Sequence, residues 1–263
     1  MSDPTGNRAK HAARGEGMKP YYDEDGITIY HGDCREVLPT LADVDLVFTS
    51  PPYNLGVTNG GGIHGGSFFV AKLGDGYADH DDAMPQHVYD AWQTMTVAML
   101  WETLSDRGAI FYNHKPRPQA STGLMLPMYG GKLPLRQIVI WDRGTGMNFS
   151  ESFFLPKQEW ILIWAKPAFR LASRDKCAVG DVWRIPVETG SEHPAPFPLK
   201  LPATAIEATA PRLVLDPFSG SGTTLRAAKD AGVSAIGIEL SERYCEIAAK
   251  RLAQGVLDFG EAS

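Results

Sequence analysis

Cysteine is scarce in this 263-residue sequence, which contains only Cys34, Cys177 and Cys245. An odd number of widely spaced cysteines without a C-x-x-C pair predicts neither a disulfide framework nor a zinc site, and we expect no metal. Long hydrophobic runs are missing too, because stretches such as WILIWA fall far short of the roughly 18 apolar residues of a membrane span. The first residues also lack the apolar centre of a secretory signal. These absences predict a protein of the reducing cytoplasm that does not enter a membrane.

Positive charge is in the minority, since the net charge is −6, and the chain as a whole lacks the basic footprint typical of nucleic-acid binding. The charge is unevenly distributed. Residues 113–176 contain ten Lys or Arg and four Asp or Glu, a balance of +6 against −12 for the remainder. This segment is predicted either to face an anionic partner or to be a solvated surface where basic residues cluster by chance.

Alternating apolar runs and helical patterns predict a single α/β domain over residues 20–263, preceded by a tail of residues 1–19. Apolar runs predict strands at 27–33 and 45–50, and a helical pattern follows at 88–104. Four further β-rich runs precede a β-α-β-α unit at 212–252, in which Gly232 closes the first helix and Ser241 caps the second. We expect a mostly parallel sheet with helices on both faces and ligands at the carboxyl ends of its strands.

Two segments depart from this alternation. Residues 56–82 are dense in glycine, and a loop of that length is usually functional or mobile. The proline-rich segment HPAPFPLKLP, residues 193–202, is predicted to be an extended turn that leads into a helix over residues 203–208.

The stretch LDPFSGSGTT predicts a bend that binds a nucleoside. It places Asp216 at a strand end and then Gly220 and Gly222 before a helix, so that backbone amides can approach a ligand. Leu225 stands where a dinucleotide fingerprint has its third glycine, and the Lys-Ser/Thr pair of a phosphate loop is missing. Glu239 follows Gly222 by 17 residues, where an acidic residue can bind a ribose diol. Asp216 alone could equally be a strand-end carboxylate that caps a turn.

The stretch TSPPYN follows the second strand and predicts a rigid acceptor site. Proline lacks an N–H group and has a fixed φ, so this turn presents carbonyl oxygens beside the Ser50 hydroxyl and the Tyr53 ring. These groups suit a flat ligand with an amino group, such as a nucleobase. An ordinary turn is the alternative interpretation.

Together, TSPPYN, DPFSGSGTT and GIELSERYCEIAAKRL strongly resemble the amino-methyltransferases of DNA over roughly residues 27–253. That family moves a methyl group from S-adenosylmethionine to adenine N6 or cytosine N4, and the motif order resembles its β class. The resemblance implies a Rossmann-like methyltransferase fold, a site-specific enzyme of the restriction-modification type and double-stranded DNA as partner, with a homodimer as a further expectation. It implies a catalytic half (27–166), a proline-rich cofactor segment (193–202) and a cofactor-binding half (203–254).

The resemblance also implies residue roles. Those expected to grip a flipped base and accept its amino N–H bonds are Ser50, Pro51, Pro52 and Tyr53. Those expected to bind the cofactor are Asp33, Asp216, Pro217, Phe218, Gly220, Gly222, Thr223 and Glu239, with His193, Phe197 and Pro198 closing over it. Those expected to contact DNA are Asn54, Lys115, Arg117, Arg143 and Lys157. Two of these have structural alternatives, because His193 could cap a turn and Asp33 could cap a helix beginning near Arg35.

The target base stays open at this point. Ser at the first motif position resembles cytosine-N4 enzymes and slightly favours cytosine, whereas PPYNL also occurs among adenine-N6 enzymes. Only residues 167–181 stand where the family usually has a target-recognition segment, so recognition is expected to involve residues 56–82, residues 113–135 or a partner. A methyltransferase acting on RNA, a protein amide or a small molecule would carry the same cofactor loop. An oxidoreductase is disfavoured by the missing third glycine, and a DNA-binding protein without activity is a further alternative.

Overall fold

The computed structural model describes residues 18–54, 84–119, 123–146, 151–187 and 197–254. The predicted tail, apart from Met18 and Lys19, lies outside the described residues. So do the glycine-dense segment 56–82 and His193.

The elements follow the predicted alternation of strands and helices. The strands are β1 (Tyr22–Glu24), β2 (Ile27–His31), β3 (Val44–Thr49), β4 (Leu104–His114), β5 (Arg117–Gln119), β6 (Gly123–Met125), β7 (Leu135–Asp142), β8 (Gln158–Ala165), β9 (Val182–Arg184), β10 (Leu213–Asp216) and β11 (Ser234–Glu239). The α-helices are α1 (Cys34–Val37), α2 (Gln86–Thr103), α3 (Arg174–Cys177), α4 (Lys200–Thr209), α5 (Thr223–Asp230) and α6 (Glu242–Ala253). A short 3₁₀ helix, Leu38–Thr40, follows α1.

Nine strands form one sheet in the order β1-β2-β11-β10-β3-β4-β8-β7-β9. The five central strands, from β2 to β4, are all parallel to one another. Strand β8 runs antiparallel to both β4 and β7, whereas β5 and β6 form a separate hairpin. The late strands β10 and β11 therefore lie between the early strands β2 and β3. The expectation of a mostly parallel sheet is confirmed.

Both faces of the sheet are covered by helices. Strand β3 is buried along almost its whole length, as expected for a strand with helices on either side. Apolar side chains of α4, α5 and α6 pack in the cluster on one face, and those of α1 and α2 pack in the cluster on the other. Helix α2 buries Tyr89, Gln93 and Leu100, which share one face of a helix with 3.6 residues per turn.

Two details of the predicted helices differ from the structure. Helix α4 begins at Lys200 rather than at residue 203, so Pro202 lies within its first turn. Proline is tolerated there because the first N–H groups of a helix have no partner inside the helix. Ser241 occupies the N-cap position of α6, but its side chain makes no capping hydrogen bond. Gly232 closes α5 as predicted, with φ +69° and its N–H donating to the Lys229 carbonyl. Within the described ranges, no helix has the length and apolarity to cross a membrane.

Candidate active site

The two motif segments meet at the carboxyl ends of β3 and β10, which are adjacent parallel strands. At this edge the Thr49 hydroxyl donates a 2.7 Å hydrogen bond to Asp216 Oδ1. Thr49 precedes the turn at residues 50–53, and Asp216 begins the glycine bend at residues 216–223. The hydrogen bond therefore joins the two segments directly.

Asp216 is the buried carboxyl of the glycine bend. Its Oδ1 also accepts the Phe218 N–H at 3.1 Å, whereas its Oδ2 is buried without a hydrogen-bond partner among the described residues. Burial raises the pKa of Asp216 to about 6. Gly220 and Gly222 have φ of +49° and +79°, a region that favours glycine, so this bend depends on both. The bend thus presents backbone amides and one unsatisfied carboxyl oxygen.

Glu239 lies beside the bend at the end of β11. Its carboxylate accepts the Gly220 N–H at 2.8 Å and the Ser241 N–H at 2.9 Å, and burial raises its pKa. Each oxygen therefore keeps a free lone pair. The Gly32 N–H donates to the Glu239 carbonyl at 2.9 Å, which brings residues 31–33 to the same edge. Asp33 caps α1 through the Arg35 N–H at 2.8 Å and forms an ion pair with Arg35, as its structural alternative predicted. Its role in cofactor binding stays a prediction.

The other predicted cofactor residues are placed as follows. The Phe218 ring lies 5.6 Å from the Trp92 ring of α2, and Pro217 is buried. The Thr223 hydroxyl accepts a hydrogen bond from Arg251 Nη1 at 3.1 Å, so it faces α6 rather than the bend. The Phe197 ring packs edge-on against Phe48 of β3 at 5.6 Å, and Pro198 is buried beside it.

Gly237 of β11 was missed by the sequence analysis. A Cβ atom at this position would lie 2.6 Å from Leu225 Cδ1 and 3.0 Å from Ser219 Cβ. The absence of a side chain therefore allows the bend and α5 to pack closely on β11. A glycine inside an apolar strand is the signal that could have identified it.

Side chains from three strands or their ends surround the turn at residues 50–53. Ser50 Oγ lies 2.7 Å from the Tyr53 hydroxyl, which donates to Glu159 Oε2 at 3.1 Å. Asn113 Nδ2 donates to Tyr53 Oη at 2.7 Å, to Glu159 Oε2 at 2.9 Å and more weakly to Ser50 Oγ at 3.3 Å. Asn113 comes from β4 and Glu159 from β8, and neither was predicted as a site residue. Each is a buried polar residue at one end of an apolar run, which is the only signal that the sequence offers.

Arg143 completes this network. Its Nη1 forms a 3.1 Å ion pair with Glu159 Oε1, and its Nη2 donates to the Pro156 carbonyl at 3.1 Å. Only 16% of the Arg143 side chain and 7% of the Glu159 side chain are exposed. Asn113 Oδ1 and Arg143 Nε are buried without a partner among the described residues. One acceptor and one donor are thus available at the edge of the network.

Helix α2 supports the turn through a second set of polar side chains. The Pro52 carbonyl accepts hydrogen bonds from the Tyr89 hydroxyl at 2.6 Å and from Gln93 Nε2 at 3.3 Å. Tyr89 also lies 2.8 Å from His114 Nε2, and burial lowers the pKa of His114 to about 3, so its imidazole is neutral. The Tyr53 ring lies 4.8 Å from the His114 ring. The Pro51 carbonyl, by contrast, accepts no hydrogen bond from the described part of the chain.

Most of the predicted DNA contacts have partners within the protein. The Asn54 amide bonds both the N–H and the carbonyl of Met84, at 2.8 and 2.9 Å, which holds together the two ends of the intervening segment. Arg117 donates to the Asn54 carbonyl and to Gln86 Oε1, both at 3.0 Å. Lys157 is exposed and Lys115 is half-buried. Among the described residues, no group of three or more His, Cys, Asp or Glu is arranged to hold a metal ion.

Comparison with known proteins agrees with this geometry. The model of a family described as DNA methylase, the N6/N4 methyltransferases, matches residues 44–250. Type II methyltransferase M.ScaI of Streptomyces caespitosus is 28% identical, with 89% of this chain and 84% of the relative covered. Type II methyltransferase M2.MboI of Moraxella bovis is also 28% identical, with 89% and 91% covered.

Solved structures show the same fold. PvuII DNA methyltransferase (cytosine-N4-specific) superposes with a TM-score of 0.70 at 18% identity, covering 92% of this chain and 91% of that one. A putative DNA modification methylase from Thermus thermophilus, complexed with S-adenosyl-L-methionine, gives 0.61 at 23% identity, with 88% and 95% covered. Because the family model spans most of the chain, and because its two motif segments meet at one edge of the sheet, this protein belongs to the N6/N4 family of DNA methylases.

Proposed function

We propose that this protein is a site-specific DNA methyltransferase that modifies the exocyclic amino group of a flipped-out base, with cytosine N4 as the target. Its cofactor is S-adenosylmethionine, which supplies the methyl group when bound. The observation that carries the proposal is the 2.7 Å hydrogen bond from Thr49 to Asp216, because it sets the base-gripping turn directly against the cofactor bend.

The residues of the bend fit this cofactor. The unpartnered Asp216 Oδ2 is an acceptor for the ammonium group of the methionine part, and Gly220 and Gly222 leave room for that part to lie against the backbone. Glu239 keeps one lone pair on each carboxylate oxygen for the ribose hydroxyls. Asp33 caps α1 just after the neighbouring strand β2, and we assign the adenine to this end of β2.

The turn at residues 50–53 supplies acceptors for an amino group. The lone pair of such an amine is delocalised into the base, so acceptors that favour the pyramidal nitrogen stabilise the transition state more than the ground state. The unbonded Pro51 carbonyl and Ser50 Oγ are the two acceptors. Since the target atom is out of reach inside a duplex, the base must be flipped, and the Tyr53 ring is the surface assigned to stack on it.

Glu159 supports this assignment through the direction of the Ser50 hydroxyl. Glu159 is paired with Arg143, and its carboxylate accepts a hydrogen bond from the Tyr53 hydroxyl. Tyr53 Oη then accepts from Ser50, which turns the Ser50 proton away from the ligand. A lone pair of Ser50 Oγ is left to accept from the amine.

Cytosine is favoured for two reasons. Ser50 occupies the first motif position as in the cytosine-N4 enzymes that it resembles, and PvuII DNA methyltransferase, the structural relative with a TM-score of 0.70, is itself cytosine-N4-specific. Adenine N6 is the second candidate, because the stretch PPYNL also resembles adenine enzymes.

The test is transfer of radiolabelled methyl groups from S-adenosylmethionine to duplex DNA, followed by digestion to nucleosides and chromatography. We expect the label in N4-methylcytosine. Label in N6-methyladenine would show that the target base is adenine rather than cytosine and would leave the proposed reaction unchanged. Label that enters RNA or protein while duplex DNA neither accepts it nor competes would overturn the proposal.

A further inference from the structure

The basic side chains near the site differ in whether their charged groups have bonded partners within the described part of the chain. Arg143 is paired with Glu159, and Arg117 is bonded to Asn54 and Gln86. Lys157 is exposed to solvent. Lys115 is half-buried, and its ammonium makes no ion pair or hydrogen bond with any residue in the described ranges. Among the basic residues named here, Lys115 is thus the half-buried one whose charged group has no bonded partner in the described ranges.

The surroundings of Lys115 disfavour its charge. Burial lowers its pKa, and the nearby guanidinium groups of Arg143 and Arg117 lower it further, whereas Glu159 acts in the opposite direction. Because Glu159 is already engaged by Arg143, the positive charges in this place outnumber the negative ones. A half-buried cation in such a place is stabilised by an anion from outside the chain.

The position of Lys115 indicates which anion. It directly follows His114, the last residue of β4, and the His114 ring lies 4.8 Å from Tyr53. Lys115 lines an open cleft of ≈ 190 Å³ at this end of the sheet. The cleft is also lined by Gln86, Asp90, His114, Arg117, Met125 and Tyr129. Within this lining, the Asp90 carboxylate accepts a 2.7 Å hydrogen bond from Gln86 Nε2.

We propose that Lys115 binds the backbone phosphate of the flipped nucleotide, an inference that rests on the proposed function. A base gripped by residues 50–53 leaves its sugar and phosphate at the entrance of the site, beside the end of β4. A phosphate there carries a single negative charge and would provide the counter-charge for the Lys115 ammonium. An ammonium group binds a phosphate as a point charge, without reading the DNA sequence. Lys115 therefore stabilises the everted nucleotide, whereas an exposed lysine contributes to general attraction for the duplex.

The test combines a protein change with a change in the DNA. Duplexes carrying the mapped methylation site are made with one neutral methylphosphonate linkage, either 5′ or 3′ to the target nucleotide. The kcat/KM of methyl transfer and the fluorescence of a base analogue at the target position are measured for wild type, Lys115→Met and Lys115→Arg. Lys157→Met is the matched control, because it removes an exposed lysine from the same basic segment.

On ordinary DNA, we expect Lys115→Met to lower both kcat/KM and the equilibrium constant for base flipping roughly 10- to 100-fold, the effect of losing a charged hydrogen bond. Lys115→Arg should largely restore both quantities. One of the two methylphosphonates should lower wild-type activity similarly and have no further effect on Lys115→Met. In the control, Lys157→Met and the methylphosphonate should act independently, so that their separate reductions of kcat/KM multiply when the variant is assayed on the modified duplex. Unchanged cofactor affinity and melting temperature confirm that Lys115→Met is folded.

Two outcomes would overturn the inference, and they are distinguishable. If wild type methylates DNA but the effects of Lys115→Met and of both methylphosphonates simply multiply, Lys115 does not bind this phosphate and the proposed function stands. If wild type methylates no DNA, the proposed function fails and the inference fails with it.

Discussion

The two sides of the site reach the same edge of the sheet by different means. The proposed cofactor side, residues 216–223 with Glu239, is shaped by the backbone: two glycines at positive φ turn the chain, and backbone N–H groups hold the Glu239 carboxylate. The proposed catalytic side, residues 50–53 with Asn113, Glu159 and Arg143, is shaped by side chains that come from distant strands.

This difference predicts two kinds of failure. On the catalytic side, loss of one polar group should leave the cofactor bound and slow the reaction, because the group acts on the amine. On the cofactor side, changes in backbone shape or in the charge of Asp216 should alter stability and cofactor affinity. The following changes test whether the two sides separate in this way, in order of decreasing effect.

Ser50→Ala should have the largest effect. It removes one of the two proposed acceptors for the amine, and by analogy with the loss of one oxyanion-hole donor we expect kcat to fall ~10²- to 10³-fold. Cofactor affinity, measured by calorimetry, should stay near the wild-type value. Ser105→Ala is the control, because it removes a hydroxyl that bonds Asp45 at the opposite end of the neighbouring strand. An equal loss of turnover and cofactor affinity would contradict the separation of the two sides.

Glu159→Gln should destabilise the catalytic side. It leaves the Arg143 guanidinium buried without its counter-charge, and breaking a buried ion pair costs about 3 to 5 kcal/mol of unfolding free energy, measured by denaturant titration. Glu207→Gln breaks an ion pair with Lys176 in which 62% of the glutamate side chain is exposed, so solvent screening should make its cost much smaller than that of Glu159→Gln. Similar losses in both variants would contradict the idea that the buried Arg143 guanidinium needs the charge of Glu159.

Asp216 should make the free protein less stable as pH rises. Its pKa is raised from 3.8 to about 6, so between these values the folded state binds more protons than the unfolded state, and unfolding free energy falls with increasing pH. The total is on the order of 3 kcal/mol. Asp216→Asn should remove this slope and weaken cofactor binding.

Asp45 provides the control of opposite sign for this experiment. Its hydrogen bonds with Arg212 and Ser105 outweigh burial, so its pKa is lowered and it contributes stability that is lost as pH falls. Asp45→Asn should therefore remove the loss of stability that sets in as pH falls below about 4 and leave the slope between pH about 4 and 6 nearly unchanged, whereas Asp216→Asn should make that slope less negative. An unchanged slope in Asp216→Asn would show that this carboxyl titrates normally.

Gly222→Ala should have the smallest effect, a loss of about 1 to 2 kcal/mol in unfolding free energy, because alanine is strained at φ +79°. Its Cβ would also lie 3.0 Å from Ala248 Cβ. Gly180 has the same φ of +79° but no atom within 4 Å of an added Cβ, so Gly180→Ala measures the backbone cost alone. A larger loss at Gly180 than at Gly222 would show that the packing of the bend on α6 is unimportant.

The same difference explains how far the sequence could be interpreted. The glycine bend and its proximity to TSPPYN were predictable because strand, glycines, helix and Glu239 follow one another along the chain, and because adjacent parallel strands end at the same edge. Asn113 and Glu159 were missed because their role depends on which strands are neighbours of β3. The start of α4 was misplaced because Pro202 is a helix breaker everywhere except in a first turn. Gly237 was missed because the need for glycine there comes from Leu225, whose side chain packs too closely on β11 to leave room for a Cβ atom.

The strand order has a consequence for biosynthesis. Strand β10 is made after more than 200 residues, yet it fills the place between β11 and β3. Until it emerges from the ribosome, one edge of the apolar strand β3 has no neighbour, and such an edge can pair with another nascent chain. Fragments that end before residue 213 should therefore aggregate rather than accumulate as a stable half, and the protein should depend on chaperones during its synthesis.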